Sequence, residues 1–217
     1  MIRLAIVGFG GMARGMLRGA AKLRGAEFVA VVEPREEARS EAEKQGLRAF
    51  ADLGEMLGAD VADAVYVATP NKFHAPATIA CLEAGMHVLC EKPIAMNAGE
   101  GQQMIDAAEA ADRKLTVNLS FRQTGAARAL KEIADSGRLG EVYFARTGWV
   151  RNRGIPRGSG WFADKELAGG GPLIDLGIHR IDLALWLMGS PEPVTVSGST
   201  FNLLGQRICE ARGQTFS

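Results

Sequence analysis

The chain has 217 residues, enough for one large domain or two small ones, and its 25 Lys plus Arg offset 25 Asp plus Glu to a formal net charge of zero. That balance excludes the basic footprint of a nucleic-acid partner, and 47% hydrophobic content excludes a disordered chain. Glycine stands out at 27 residues, well above the usual ~7%, with no collagen-like period to explain it.

Residues 2–7 (Ile-Arg-Leu-Ala-Ile-Val) read as a buried strand that begins right after Met1, without the basic start and cleavage site of a signal peptide. A helix is expected over 12–24, a strand over 27–33 and a charged helix over 35–45. Further strands are expected at 63–68, 86–90 and 114–119, with helices near 75–84 and 97–112. Strands alternating with helices predict an α/β fold, a doubly wound parallel sheet of Rossmann type. After residue 121 the pattern changes. A helix over 124–136 precedes a strand at 141–150, a Gly- and Arg-rich stretch fills 151–171, a helix covers 173–188, and a β-like run occupies 194–201. The expected domains are 1–121 and 122–217.

No apolar run approaches the ~18 residues that span a bilayer. Cys81, Cys90 and Cys209 are an odd number without C-x-x-C spacing and read as reduced, mostly buried thiols. A cytoplasmic protein without membrane or nucleic-acid partners is therefore expected, with no metal site.

Gly8-Phe-Gly10-Gly11-Met12-Ala13 follows the first strand and opens a helix. In such a turn Gly8 permits the tight bend, Gly10 lets the backbone approach a pyrophosphate, and Ala13 is small enough for helix–strand packing. The helix N-terminus offers its N–H groups to the phosphates. Glu33, at the end of the second strand, is placed to accept the ribose hydroxyls of the adenosine half. Its charge repels a 2′-phosphate and favours NAD over NADP, a preference that neighbouring Arg35 softens.

Two loops at the carboxyl edge of the sheet carry further candidates. Thr69-Pro70-Asn71-Lys-Phe-His74 follows one strand, where Asn71 either caps the next helix or faces a ligand, and His74 either faces a ligand or lies on the surface. Glu91-Lys92-Pro93 ends the next strand. Lys92 there is either solvated or a donor to a substrate oxygen, and the X-Pro bond can be cis. On the helix at 173–188, 100° per residue puts Asp175, His179 and Asp182 on one narrow stripe with Trp186 following. A carboxylate beside His179 would orient the ring as a base; the alternative is a His–Asp link between helix and sheet.

Taken together, Gly8-x-Gly10-x-x-Ala13, Glu91-Lys92-Pro93 and Gly-Gly-Gly-Pro-Leu-Ile-Asp175-x-Gly-x-His179-x-x-Asp182 resemble the Gfo/Idh/MocA family, the glucose–fructose oxidoreductase, inositol dehydrogenase and MocA group of sugar and polyol dehydrogenases. The resemblance implies an N-terminal NAD(P)-binding Rossmann domain followed by an α+β domain with a mainly antiparallel sheet. It assigns catalytic roles to Lys92, Asp175 and His179. Cofactor contacts are expected from Gly8, Gly10, Gly11, Met12, Ala13, Glu33, Thr69, Pro70, Asn71, His74, Glu91 and Lys92. Asp175 and His179 hold the substrate in this reading. From the residues alone, arginines and aromatics before the catalytic helix (Trp149, Arg151, Arg153 and Trp161) are candidates to recognise an acidic or polyhydroxylated sugar, Arg151 and Trp161 foremost.

The implied activity is hydride transfer between a sugar or polyol hydroxyl carbon and NAD. Two alternatives are an NAD-dependent glycoside hydrolase of the same fold and a non-catalytic nucleotide-binding protein. Family members are longer, so the second domain is expected to be incomplete, with its strand edges uncovered unless another chain covers them. A homo-oligomer is expected where that sheet is completed.

Overall fold

The computed structural model describes residues 1–150, 160–201 and 207. Six strands, β1 (Ile2–Val7), β2 (Ala26–Val32), β3 (Arg48–Phe50), β4 (Ala64–Val67), β5 (His87–Cys90) and β6 (Leu115–Val117), form one sheet in the order β3-β2-β1-β4-β5-β6. Every neighbouring pair is parallel. Helices α1 (Gly11–Ala20), α2 (Glu36–Glu43), α3 (Leu53–Leu57), α4 (His74–Glu83) and α5 (Ala98–Ala110) connect them.

Both faces of the sheet are covered, which is why its strands read as nearly continuous apolar runs. Ala5, Val7, Ala30, Val32, Val65, Val67, Val88 and Cys90 pack with Met56, Cys81, Leu82 and Met104. Alternate residues Ile6, Val31 and Tyr66 pack on the other face with Phe9, Ala13, Ala38 and Ala42. Each fully buried large side chain contributes about 1.5–3 kcal/mol relative to exposure.

Register sets the site. Val7 pairs with Val32 and with Val67, Val67 with Cys90, and Cys90 with Val117. The ladder then continues one residue past each strand: Gly8 N donates to Val32 O, Ala68 N to Val7 O, Glu91 N to Val67 O, and Asn118 N to Cys90 O, at 2.7–2.9 Å. Gly8, Ala68, Glu91 and Asn118 thus share one row at the carboxyl edge, and Glu33 N joins it by donating to Phe50 O at 3.0 Å. The chain order reverses between β1 and β4, the place where doubly wound sheets open their ligand crevice.

The chain divides into two compact units, Met1–Asn118 and one that begins at Leu119. In the second, a 3-10 turn (Ser120–Gln123) leads into α6 (Gly125–Asp135). Another 3-10 turn (Trp161–Ala163), α7 (Lys165–Ala168), a π-helical turn (Leu173–Gly177) and α8 (Ile178–Leu187) follow. Leu119, Ser120 and Phe121, expected in the first domain, fall in the second unit, where Phe121 packs on His179 of α8.

The expected strands at 141–150 and 194–201 do not form, and the described residues of the second unit contain no strand. The mainly antiparallel sheet is therefore not seen among them. An alternating pattern specifies a surface that fits a sheet, and ladder bonds require a partner strand. Tyr143, Phe144, Val150, Val194, Val196 and Phe201 are accordingly exposed. No helix among the described residues is long and apolar enough to cross a membrane.

Candidate functional site

Gly8 has φ +90°, and a Cβ there would lie 2.8 Å from Ala68 O and 3.0 Å from Thr69 N. Only glycine lets the ends of β1 and β4 approach this closely. Gly10 and Gly11 differ: a Cβ on either meets nothing within 4 Å. Gly10 begins α1 without any side-chain cap, and the first turn carries no acid. In contrast, Asp52, Asn97 and Thr124 cap α3, α5 and α6 with their own oxygens. The N-terminus of α1 is thus an open, electropositive cradle of the kind that receives phosphate. Met12 is exposed there, whereas Ala13 is fully buried against the sheet.

Glu33 is buried. Its Oε2 accepts from Phe9 N at 2.9 Å; its Oε1 accepts from Arg35 N at 3.1 Å and Arg35 Nε at 2.8 Å. Burial pushes this carboxyl up, but the Arg35 guanidinium and the two N–H donors outweigh it and hold Glu33 below the usual carboxylate range. An ionised carboxylate thus stands at the end of β2 and ties the glycine turn in place. The cradle and this acid fit a dinucleotide, with phosphates at Gly10 and Gly11 and ribose hydroxyls at Glu33.

His74 corrects two expectations. It is neither on the surface nor able to touch a cofactor, because it has no exposed area. Its Nδ1 lies 2.7 Å from Pro93 O and its Nε2 3.1 Å from Thr69 O. Burial pushes its pKa below the ordinary histidine value, so the ring is neutral near pH 7 and has one N–H to share between two carbonyls. His74 therefore joins the Thr69-Pro70-Asn71 loop to the Glu91-Lys92-Pro93 loop. Asn71 is buried and opens a 3-10 turn, while α4 begins at His74 without a side-chain cap, so Asn71 is not its cap.

Glu91 is an internal anchor. It is buried; the Tyr66 hydroxyl and Asn118 Nδ2 (2.7 Å) donate to Oε1, and Lys92 N donates to Oε2 at 3.2 Å. Burial and the Glu91 charge push the Tyr66 hydroxyl far up, so it stays a donor. The Lys92–Pro93 peptide is cis, and Lys92 itself is half-buried on this braced loop.

In the second unit, Asp175 lies in the π-helical turn Leu173–Gly177, and His179 follows at the second residue of α8. The turn changes helical geometry between them, so the 100° spacing used to align Asp175, His179 and Asp182 does not hold there; such turns often mark functional sites. His179 is buried with its ring 4.7 Å from that of Phe121. Asp182 is not part of an acid–histidine stripe: Arg122 Nε donates to its Oδ2 at 2.8 Å and Arg122 Nη2 to its Oδ1, pinning the turn at 120–123 to α8. Arg122 and Lys131 also sit over Trp186, each 5.7 Å from the ring centroid. Trp161 stacks on Phe162 with centroids 3.8 Å apart. Arg151 and Arg153 lie outside the described residues.

Sequence reasoning missed Phe121 beside His179, and Tyr66 and Asn118 beneath Glu91. It also missed Arg180, whose signal was an arginine between His179 and Asp182 in a mostly apolar helix. No group of three or more potential metal ligands occurs among the described residues.

Comparison with known proteins decides the family. Residues 2–119 match the family model described as oxidoreductase family, NAD-binding Rossmann fold, and residues 127–208 match the GFO/IDH/MocA C-terminal domain. The chain belongs to the Gfo/Idh/MocA family. Among curated members it is 39% identical to D-glucoside 3-dehydrogenase of Escherichia coli, over 87% of this chain and 54% of that protein. It is 33% identical to the NADP(+) scyllo-inositol 2-dehydrogenase IolU of Bacillus subtilis, over 91% and 62%. The WlbA dehydrogenase of Bordetella pertussis, solved with NADH and UDP-GlcNAcA, superposes with a TM-score of 0.76 at 31% identity, over 86% of this chain and 55% of that one. The chain thus spans a little over half the length of these Gfo/Idh/MocA relatives.

Proposed function

We propose that the protein binds NAD in preference to NADP and serves oxidation or reduction of a sugar or polyol at a hydroxyl-bearing carbon. The observation that carries this reading is the pairing of an open phosphate cradle at Gly10 and Gly11 with an ionised, buried Glu33. Gly8, Met12, Ala13, Thr69, Pro70 and Asn71 shape the same edge. Glu33 accepts the two ribose hydroxyls and repels a 2′-phosphate, while Arg35, already engaged on Glu33, offers that phosphate less charge than a free arginine would.

When bound, the nicotinamide accepts or returns hydride. The chain's own residues handle the rest. Lys92 donates to the substrate oxygen and favours negative charge developing there. His179, oriented by Asp175, takes the hydroxyl proton. His74 and Glu91 hold the loop that aims Lys92, and Trp161 and Arg151 contribute to sugar recognition. Buried free Cys81 and Cys90 support a reducing, cytoplasmic setting, and the exposed apolar side chains at 141–150 and 194–201 support homo-oligomerisation.

NADH formation followed by its absorbance, with NAD and a panel of sugars and polyols, tests this reading. Turnover that Lys92→Ala and His179→Ala each abolish, with NAD affinity kept, is the expected result. Turnover that survives either change removes that residue from the chemistry.

A further inference from the structure

Among the described residues, no carboxylate meets the guanidinium of Arg180. Four arginines meet a carboxylate: Arg3 meets Asp63, Arg14 meets Glu41, Arg35 meets Glu33 and Arg122 meets Asp182, and Arg48 lies over the single ring of Phe50. Arg180 instead lies over two aromatic rings, 4.7 Å from the Trp149 centroid and 5.4 Å from that of Phe121. Its Nε is sealed from solvent without a hydrogen-bond partner, while the residue as a whole stays half-exposed. Its exposed part therefore lies elsewhere than at Nε. The nearby acid on the same helix, Asp182, is already held by Arg122.

Phe121 and Trp149 meet edge to face at 5.5 Å, so they offer the guanidinium a seat of two rings. Phe121 also touches the ring of His179, the residue immediately before Arg180. A seated guanidinium closed at Nε keeps the end-on fork of its two terminal nitrogens for recognition. That fork matches a planar carboxylate in bidentate fashion. Aromatic faces stabilise the cation without neutralising it, which leaves the charge available to an incoming anion.

We propose that Arg180 determines specificity by binding a substrate carboxylate, so that the favoured substrates are acidic sugars such as uronates or aldonates rather than neutral polyols. The proposal rests on the reading of His179 as a substrate contact. It adds a residue beside His179 and narrows the substrate class.

The test is calorimetric titration of the full chain, using D-glucuronate, D-glucose and D-glucose 6-phosphate. The expected result is at least ten-fold tighter binding of glucuronate than of glucose. Arg180→Gln should remove that preference and Arg180→Lys should keep part of it, both variants retaining the circular dichroism of the parent. Equal binding of glucuronate and glucose by the parent, or a preference that survives in Arg180→Gln, overturns the proposal. A preference for the phosphate ester equal to that for glucuronate overturns the carboxylate assignment. Turnover of glucose with NAD but no preference for glucuronate sinks Arg180 alone, whereas a glucuronate preference alongside turnover that survives in His179→Ala sinks the base and leaves Arg180 standing.

Discussion

Two glycines two residues apart in the same turn should respond to the same substitution in opposite ways. In Gly8→Ala the new methyl meets Ala68 O at 2.8 Å and sits on a backbone with φ +90°. The positive φ costs about 1–2 kcal/mol for an L-residue. The contact is with main chain that cannot swing aside, and forced overpacking adds about 1–3 kcal/mol. The sum is about 2–5 kcal/mol, a large share of the stability of a single domain. In Gly10→Ala the methyl enters open space, with φ −86° acceptable to any residue. The loss there should stay near 0.5–1 kcal/mol, because alanine is a poor first residue for a helix. If the pyrophosphate sits there as proposed, the same methyl takes part of its volume and should weaken NAD binding by about ten-fold or more. Urea unfolding gives the first pair of numbers and calorimetric NAD titration the second. A Gly8→Ala protein as stable as its parent, or a Gly10→Ala protein that binds NAD as well as its parent, would refute the reasoning.

Two further outcomes follow from internal links. The buried His74 has its pKa lowered, so the unfolded chain takes up a proton that the folded one refuses. Its stabilising effect is complete above the ordinary value of 6.5 and declines as pH falls below it; His74→Asn should flatten the slope of urea stability between neutral pH and pH ~5 while lowering stability at neutral pH by about 1–3 kcal/mol, since at least one buried carbonyl loses its partner. In the second unit, Asp182→Asn removes the charge that holds Arg122, and unfolding should show a loss of about 1–2 kcal/mol, moderated because Arg122 remains partly exposed. NAD affinity should not change, since both residues lie outside the first unit.

The first unit was legible because its sheet is buried on both faces: β1, β2, β4 and β5 stand out as apolar runs, and the glycine turn and Glu33 fall at their ends. Three-residue β3 was not, since Arg48-Ala49-Phe50 has no β-branched residue, whereas the equally short β6 reads Leu-Thr-Val. The π-helical turn at Leu173–Gly177 was also hidden, since uniform helical spacing does not hold between Asp175 and His179; Asp182 does share a helical face with His179, but its partner Arg122 lies 60 residues away in sequence, where no local spacing reveals it. The family resemblance puts His74 and Glu91 at the cofactor edge. Their burial depends on Thr69, Pro93, Tyr66 and Asn118, contacts between residues as much as 27 apart in sequence that no local pattern encodes. The runs at 141–150 and 194–201 show the converse, since a β pattern is visible in sequence whether or not a partner strand accompanies it.

Titration of the full chain with NAD and with NADP tests whether the glycine turn and Glu33 form a dinucleotide site. Saturable NAD binding, weaker NADP binding, and a loss of NAD affinity in Glu33→Gln accompanied by a narrower gap between the two cofactors are expected. Absence of NAD binding, or affinities for both cofactors that Glu33→Gln leaves untouched, would contradict it.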